Sequence, residues 1–90
     1  MAQKRKDNHI IVAIHVTNRV KQASGVQSVL TRYGTRIRTR IGLHESTGRK
    51  ADPNGVILLE LVGAERQSQR LMADLNAIAG VEAKGICFQH

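Results

Sequence analysis

Four side chains of metal-binding types lie far apart along the chain. Imidazole and thiolate groups are suitable ligands for nickel, zinc or iron. Their spacing matches no CxxC or HxH motif, and the first two histidines lie about 20 Å apart if both belong to one extended strand. A metal site that combines them is therefore expected only where subunits meet. The candidate ligands are His9, His15, His44 and Cys87.

Basic residues recur at every second position in the segment "TRIRTRIGL", and the chain carries a formal net charge of +7. In a strand this spacing places Arg36, Arg38 and Arg40 on one face. Such a face could bind an anion or a nucleic acid through phosphate groups. The segments 9–15 and 56–62 offer no aromatic residue on which bases could stack. Binding of an anion or a nucleic acid is therefore the alternative interpretation. Direct binding of nucleic acid is not the favoured function.

A polar segment, 44–54, separates two apolar runs. It is longer than the two to five residues that a hairpin needs. Long ordered loops often carry function, so this segment is either a ligand site or a solvated connection, and the sequence leaves both open. The residues that could bind a ligand here are His44, Glu45, Arg49 and Asp52.

Catalytic motifs are not evident in the sequence. It contains no Ser–His–Asp spacing, no HExxH motif and no pair of carboxylates at a spacing typical of acid–base catalysis. We therefore expect a protein without catalysis of its own. The lone Cys87 fits a reducing compartment, and no apolar run is long enough for a membrane span. A cytoplasmic location is expected.

The apolar periodicity divides residues 8–90 into one domain behind a basic tail, 1–7, that is expected to be disordered. Period-two patterns predict strands over 8–17, 35–43, 55–62 and 81–89. Three-to-four spacing predicts a helix from Asn18, its N-cap, to a stop at Gly34, and another over 64–79. The order βαββαβ predicts an α+β ferredoxin-like two-layer sandwich: a four-stranded antiparallel sheet with two helices on one face.

In this fold the first and third strands are central, and one face of the sheet is left without helices. One set of residues should point at the helices: Ile10, Val12, Ile14, Val16, Ile57, Leu59 and Leu61. The other face would expose an apolar patch, which a second copy of the chain could cover. We therefore expect a dimer or tetramer with an interface formed by Ile11, Ala13, Val56, Leu58, Glu60 and Val62.

Four segments form a framework of glycine and apolar residues: "IxVxNR", "GxxxxxRxGLHE", "NGVILLELVG" and "LNAIAGVEAKGICF". They are Ile14–Arg19, Gly34–Glu45, Asn54–Gly63 and Leu75–Phe88. This framework resembles the iron-only hydrogenase system regulator family. That family is an ACT-like group similar to the C-terminal regulatory domain of nickel-responsive repressors.

The resemblance implies an ACT-like regulatory module that assembles as a dimer or tetramer and senses a small molecule or a transition metal such as nickel. Ligands of ACT-like modules often lie at subunit interfaces, near the loop after the first strand, here at Asn18, or near strand ends. The repressors' HxH element has no match here, so their metal ligands are not transferred. Only the tail precedes the first strand, so a role in transcription would require a partner that binds DNA.

Overall fold

The structure is a computed structural model that describes residues 9–17, 19–43 and 55–88. Its strands and helices follow the predicted order. A short 3-10 turn, Gly34–Arg36, precedes the second strand, which therefore begins two residues later than the sequence pattern suggests. The elements are β1 (His9–Val16), α1 (Arg19–Arg32), β2 (Ile37–Leu43), β3 (Gly55–Leu61), α2 (Glu65–Asn76) and β4 (Val81–Phe88).

The four strands form one sheet in the order β2-β3-β1-β4, and every neighbouring pair is antiparallel. The two central strands are therefore β1 and β3, as predicted. With two helices on one face, this is the ferredoxin-like two-layer sandwich that the sequence indicates. Within the described residues, neither helix is long and apolar enough to cross a membrane.

The core lies between the sheet and the helices. Side chains of β1 alternate strictly between buried and exposed, and its four buried residues are at most 3% exposed. The removal of each large aliphatic side chain from water stabilises the fold by about 1.5–3 kcal/mol. Of the residues predicted to point at the helices, only Ile57 is half-buried rather than buried. The buried ones are Ile10, Val12, Ile14, Val16, Leu59 and Leu61.

The helices contribute aliphatic residues at helical spacing. In α1 these are Val26, Val29 and Leu30, and in α2 they are Leu71 and Leu75. The helix α2 ends at Asn76, three residues before the predicted end at Ala79. The chain turns there: the Ile78 N–H donates to the Leu75 carbonyl at 3.0 Å, and the Val81 N–H to the Ile78 carbonyl at 3.1 Å. Gly80 completes the turn at φ 82°, which favours glycine.

A contact between Tyr33 and Asp74 joins the end of α1 to α2. The Tyr33 hydroxyl donates to Asp74 Oδ2 at 2.7 Å, and Arg32 Nη1 lies 3.2 Å from the same oxygen. The hydrogen bond to Asp74, partial burial and the charge of the Asp74 carboxylate together raise the pKa of Tyr33 above its ordinary value. The neutral phenol is therefore the form that the folded protein stabilises.

We expect Tyr33→Phe to lower the free energy of unfolding by about 1 kcal/mol at neutral pH, since one partly buried hydrogen bond is lost. Because folding raises the pKa, this contribution is complete below the unfolded value of about 10 and is lost as the pH rises through the folded pKa. Urea unfolding of both proteins across that range measures the difference. An equal difference in stability below and above the folded pKa of Tyr33 would contradict the hydrogen bond between Tyr33 and Asp74.

The same contact predicts an optical signal. The chain contains one tyrosine and no tryptophan, so the phenolate absorbance reports Tyr33 alone. The unmodified protein should titrate above the pH of a model phenol, and Asp74→Ala should bring the titration back toward it.

Candidate functional site

The open face of the sheet, the face turned away from the helices, carries an aliphatic surface. Residues opposite each other in an antiparallel pair point to the same side of the sheet. The register therefore places Leu58 between Ile41 on β2 and Ala13 on β1, while Ile11 lies between Glu60 on β3 and Ile86 on β4. The apolar residues of the open face are Ile11, Ala13, Ile41, Val56, Leu58, Ile86 and Phe88.

Four of these side chains are well exposed: 36% for Ile11, 48% for Ile41, 58% for Ile86 and 57% for Phe88. An exposed aliphatic surface that spans all four strands is unusual for a monomeric domain, because its contact with water is unfavourable. The open face is therefore the strongest candidate for a functional surface among the described residues.

Most of the predicted interface residues lie on the open face. Ile11, Ala13, Val56, Leu58 and Glu60 share it by register, and all five are half-buried or exposed. Val62 is half-buried just beyond the end of β3, and its backbone N–H donates to the Arg36 carbonyl at 2.9 Å. The sequence pattern thus predicts the central part of the surface.

The prediction that the three arginines share one face of a strand is wrong, because β2 contains an irregularity. Ile37 lies opposite Leu61, but Thr39 lies opposite Glu60, so the register shifts at Arg38. One extra residue in a strand exchanges the two faces for everything that follows. Arg40 consequently lies opposite Leu59, on the helix side of the sheet.

In an unbroken strand the period of two would also place Ile41 on the same face as Ile37. Ile41 instead lies opposite Leu58 on the open face. Arg36 is not in a strand. It belongs to the 3-10 turn, and its Nη1 lies 3.0 Å from the position that a Cβ on Gly63 would occupy. The three arginines therefore form no continuous basic row.

The charges on the open face balance within the described residues. Glu60 accepts a hydrogen bond from the Thr39 hydroxyl at 2.9 Å, and its other carboxylate oxygen lies 3.6 Å from Arg38 Nη1. On β4, Lys84 Nζ lies 3.5 Å from Glu82 Oε2. Two cations and two carboxylates thus neutralise each other on this face, although the chain as a whole carries +7.

The structure separates the candidate metal ligands. His9 and His15 are exposed on the open face, whereas Cys87 lies opposite the buried Ile10, on the helix side. Partial burial raises the pKa of the Cys87 thiol, and the Glu65 carboxylate adds to the shift, which disfavours the thiolate that metals bind. Within residues 9–17, 19–43 and 55–88, no three His, Cys, Asp or Glu side chains are grouped to hold a metal ion.

The predicted ligand site falls outside the described residues. This applies to His44, Glu45, Arg49 and Asp52, and also to Asn18. These residues stay predictions from the sequence, as does any metal site that uses His44.

Besides Ile41, two residues of the open face were missed by the reasoning from sequence. Ile86 and Phe88 lie opposite Ile11 and His9. A signal was present, since residues 82–88 place these two at alternate positions with Lys84. Only the register with β1 shows which face they share.

No protein-family model matches the chain, and no curated protein matches it. The resemblance to the hydrogenase-system regulators therefore stays a prediction.

Solved structures do share its fold. The chain is similar to the uncharacterized protein TM1266 from Thermotoga maritima, with a TM-score of 0.77 and 23% identity over 90% of this chain and 96% of that one. The C-terminal domain of the MgtC protein from Mycobacterium tuberculosis has a TM-score of 0.60 and 15% identity over 100% and 96%. CPII, a nitrogen regulatory PII-like protein from Thiomonas intermedia K12, has a TM-score of 0.53 and 12% identity over 96% and 97%. These similarities establish the fold alone.

Proposed function

We propose that the chain is a small non-catalytic regulatory module that self-associates through the open face and responds to a small-molecule or metal effector. The observation that carries this proposal is the open face itself: a broad aliphatic surface whose four charges cancel. A second copy of the chain is the occupant that this chemistry fits.

The charge balance favours a second copy over other occupants. Two chains that each carry +7 repel each other, but a contact through the open face brings neutral surfaces together. A nucleic acid would need unpaired cations here, and both Arg38 and Lys84 are already paired with carboxylates. The central strands also offer no Phe, Tyr or Trp for base stacking. An exposed apolar surface with balanced charges is typical of homodimer interfaces.

The regulatory role is supported by analogy. CPII is a nitrogen regulatory PII-like protein, and one of its structures holds ADP, AMP and acetate. The resemblance of the sequence to the hydrogenase-system regulators and to the regulatory domain of nickel-responsive repressors points to the same class. In this proposal the chain controls a partner, such as a transcription regulator, by changing its own assembly or surface when the effector binds.

Native mass spectrometry of protein purified without added metal or chelator tests the proposal. It measures the subunit number and any retained ligand mass in one experiment. We expect an oligomer that carries a stoichiometric metal or metabolite. An oligomer that retains nothing after incubation with nickel or adenine nucleotides would contradict the sensing role and favour a protein-interaction module. A monomer would contradict the role of the open face.

A further inference from the structure

Among the described residues, contacts cover the outer edge of β4 over only half of its length. β4 is an edge strand, and its register with β1 runs without a shift from Val81 to Phe88. The side chain of Asn76 caps Ala83 in both directions: Asn76 Nδ2 donates to the Ala83 carbonyl at 3.2 Å, and the Ala83 N–H donates to Asn76 Oδ1 at 2.8 Å. The Val81 N–H donates to the Ile78 carbonyl at 3.1 Å.

These contacts show which backbone groups point away from the sheet. In an antiparallel strand the N–H and C=O groups of every second residue point to the same side. Since those of Ala83 point away from β1, so do those of Gly85 and Cys87. Within the described part of the chain, no residue supplies hydrogen-bond partners for these outward groups.

The uncovered half of the edge also lacks the usual protection. Edge strands are commonly shielded by a proline, a charged side chain or an irregularity. After Lys84, β4 continues with Gly85, Ile86, Cys87 and Phe88, and none of these is charged or proline. Ile86 and Phe88 are more than half exposed on the open face beside it. An edge of this kind is a template for pairing with another strand.

We propose that the edge formed by 85–88 pairs antiparallel with the same edge of a second copy, around a two-fold axis at Ile86. Gly85 then lies opposite the partner's Cys87, and Cys87 opposite the partner's Gly85, so the outward groups of both residues are satisfied. Ile86 faces the partner's Ile86 on the open face. Lys84 lies opposite the partner's Phe88, an arrangement that allows a cation–π contact.

Asn76 selects this register over its neighbours. A shift toward the start of β4 would require the outward groups of Ala83, which Asn76 already holds. A shift toward the end of β4 would centre the pairing on Cys87 and extend it past Phe88, the last residue of the strand. Only one hydrogen-bonded pair, Cys87 with the partner's Cys87, would then lie within β4. The register centred on Ile86 is the one that forms two hydrogen-bonded pairs within β4.

This contact is separate from the open-face contact of the proposed function and does not depend on it. Edge pairing joins two four-stranded sheets into one sheet of eight strands and leaves the open face available. With both contacts present, the chain forms a closed tetramer when the two two-fold axes cross at right angles. With either one removed, it forms a dimer.

Disulfide trapping tests the edge contact. In a Cys87→Ala background, Ile86→Cys should form an intermolecular disulfide on mild oxidation, because Cβ atoms that face each other in a non-hydrogen-bonded pair lie about 4.5 Å apart, which a disulfide can span. The matched control is Glu82→Cys in the same background, which is also exposed on β4 but lies outside the paired segment. Little cross-linking of Ile86→Cys, or equal cross-linking of both variants, would overturn the proposal.

A second pair of variants removes the backbone donor. Cys87→Pro eliminates an outward N–H and leaves the β1 ladder intact, whereas Cys87→Ala keeps the N–H. Proline in the Ile86→Cys chain should abolish the cross-link that alanine permits, and should halve the mass of the assembly. An unchanged mass and cross-link would contradict the edge contact.

A third variant separates the two contacts. Leu58→Arg should leave the Ile86→Cys cross-link in place, since it affects the open face alone. Loss of the cross-link only in Cys87→Pro, with loss of the open-face contact only in Leu58→Arg, is the expected pattern. If Leu58→Arg dissociates the assembly but Ile86→Cys never cross-links, the edge contact is wrong and the open-face contact stands.

Discussion

Replacement of Leu58 with arginine is expected to abolish the open-face contact. Leu58 lies on the central strand β3, between Ile41 and Ala13. In the assembly its side chain would be fully removed from water, and an unpaired charge in such a position costs about 3–5 kcal/mol. That cost corresponds to a reduction of the association constant by roughly a hundredfold or more.

The folded chain should tolerate the same substitution. In the separated protomer the new guanidinium would lie on a solvated face, two residues from Glu60 on the same side of β3. Circular dichroism should therefore show native secondary structure, while light scattering shows a smaller assembly.

Gln69→Arg is the matched control for Leu58→Arg. It adds the same charge at an exposed position of α2, away from the open face. An unchanged assembly in Leu58→Arg, or an equal loss in Gln69→Arg, would contradict the interface.

Replacement of Leu75 with alanine is expected to destabilise the fold by about 2–5 kcal/mol, since a buried leucine leaves a cavity in a close-packed core. Leu75 is 0% exposed and belongs to the cluster that joins α2 to the sheet. A domain of this size is stable by about 5–15 kcal/mol in total, so this one residue accounts for a large share.

Urea unfolding at a fixed protein concentration measures this change, because association would otherwise shift the midpoint. Gln69→Ala is the control on the same helix: its side chain is exposed, and the change should be within about 0.5 kcal/mol. A loss below about 1 kcal/mol for Leu75→Ala would contradict the placement of Leu75 in the core, because a cavity left by leucine costs more than that.

The central strands could be predicted from sequence because the order of apolar residues within each segment is enough to identify a strand. In β1, every second residue from Ile10 to Val16 is buried, so the period of two fixes both the strand and its faces. The order βαββαβ then leaves one simple right-handed arrangement. Neither step requires knowledge of a partner strand.

The faces of β2 could not be predicted because they depend on pairing. The pattern of Arg36, Arg38 and Arg40 is regular, but a register shift at Arg38 is set by how β2 meets β3. The exchange moves Ile41 onto the open face and Arg40 off it. A local sequence pattern carries no information about such an irregularity.

The edge of β4 illustrates the same limit. The edge formed by 85–88 can be identified only when the structure shows that the side chain of Asn76 hydrogen-bonds the backbone of Ala83. The helix pattern predicts α2 as far as Ala79, whereas the helix ends at Asn76, which places that amide beside the edge strand. The candidate ligand residues of the segment 44–54 stay predictions, because residue types alone do not bring them together.

Analytical ultracentrifugation of the unmodified chain, over a wide range of concentrations and beside Leu58→Arg, tests the central claim most directly. We expect the unmodified chain to sediment as an oligomer at every concentration above its dissociation constant, and the Leu58→Arg chain to sediment as a smaller species under the same conditions. A monomer for the unmodified chain throughout the range would show that the open face functions without a second copy, and would contradict the account.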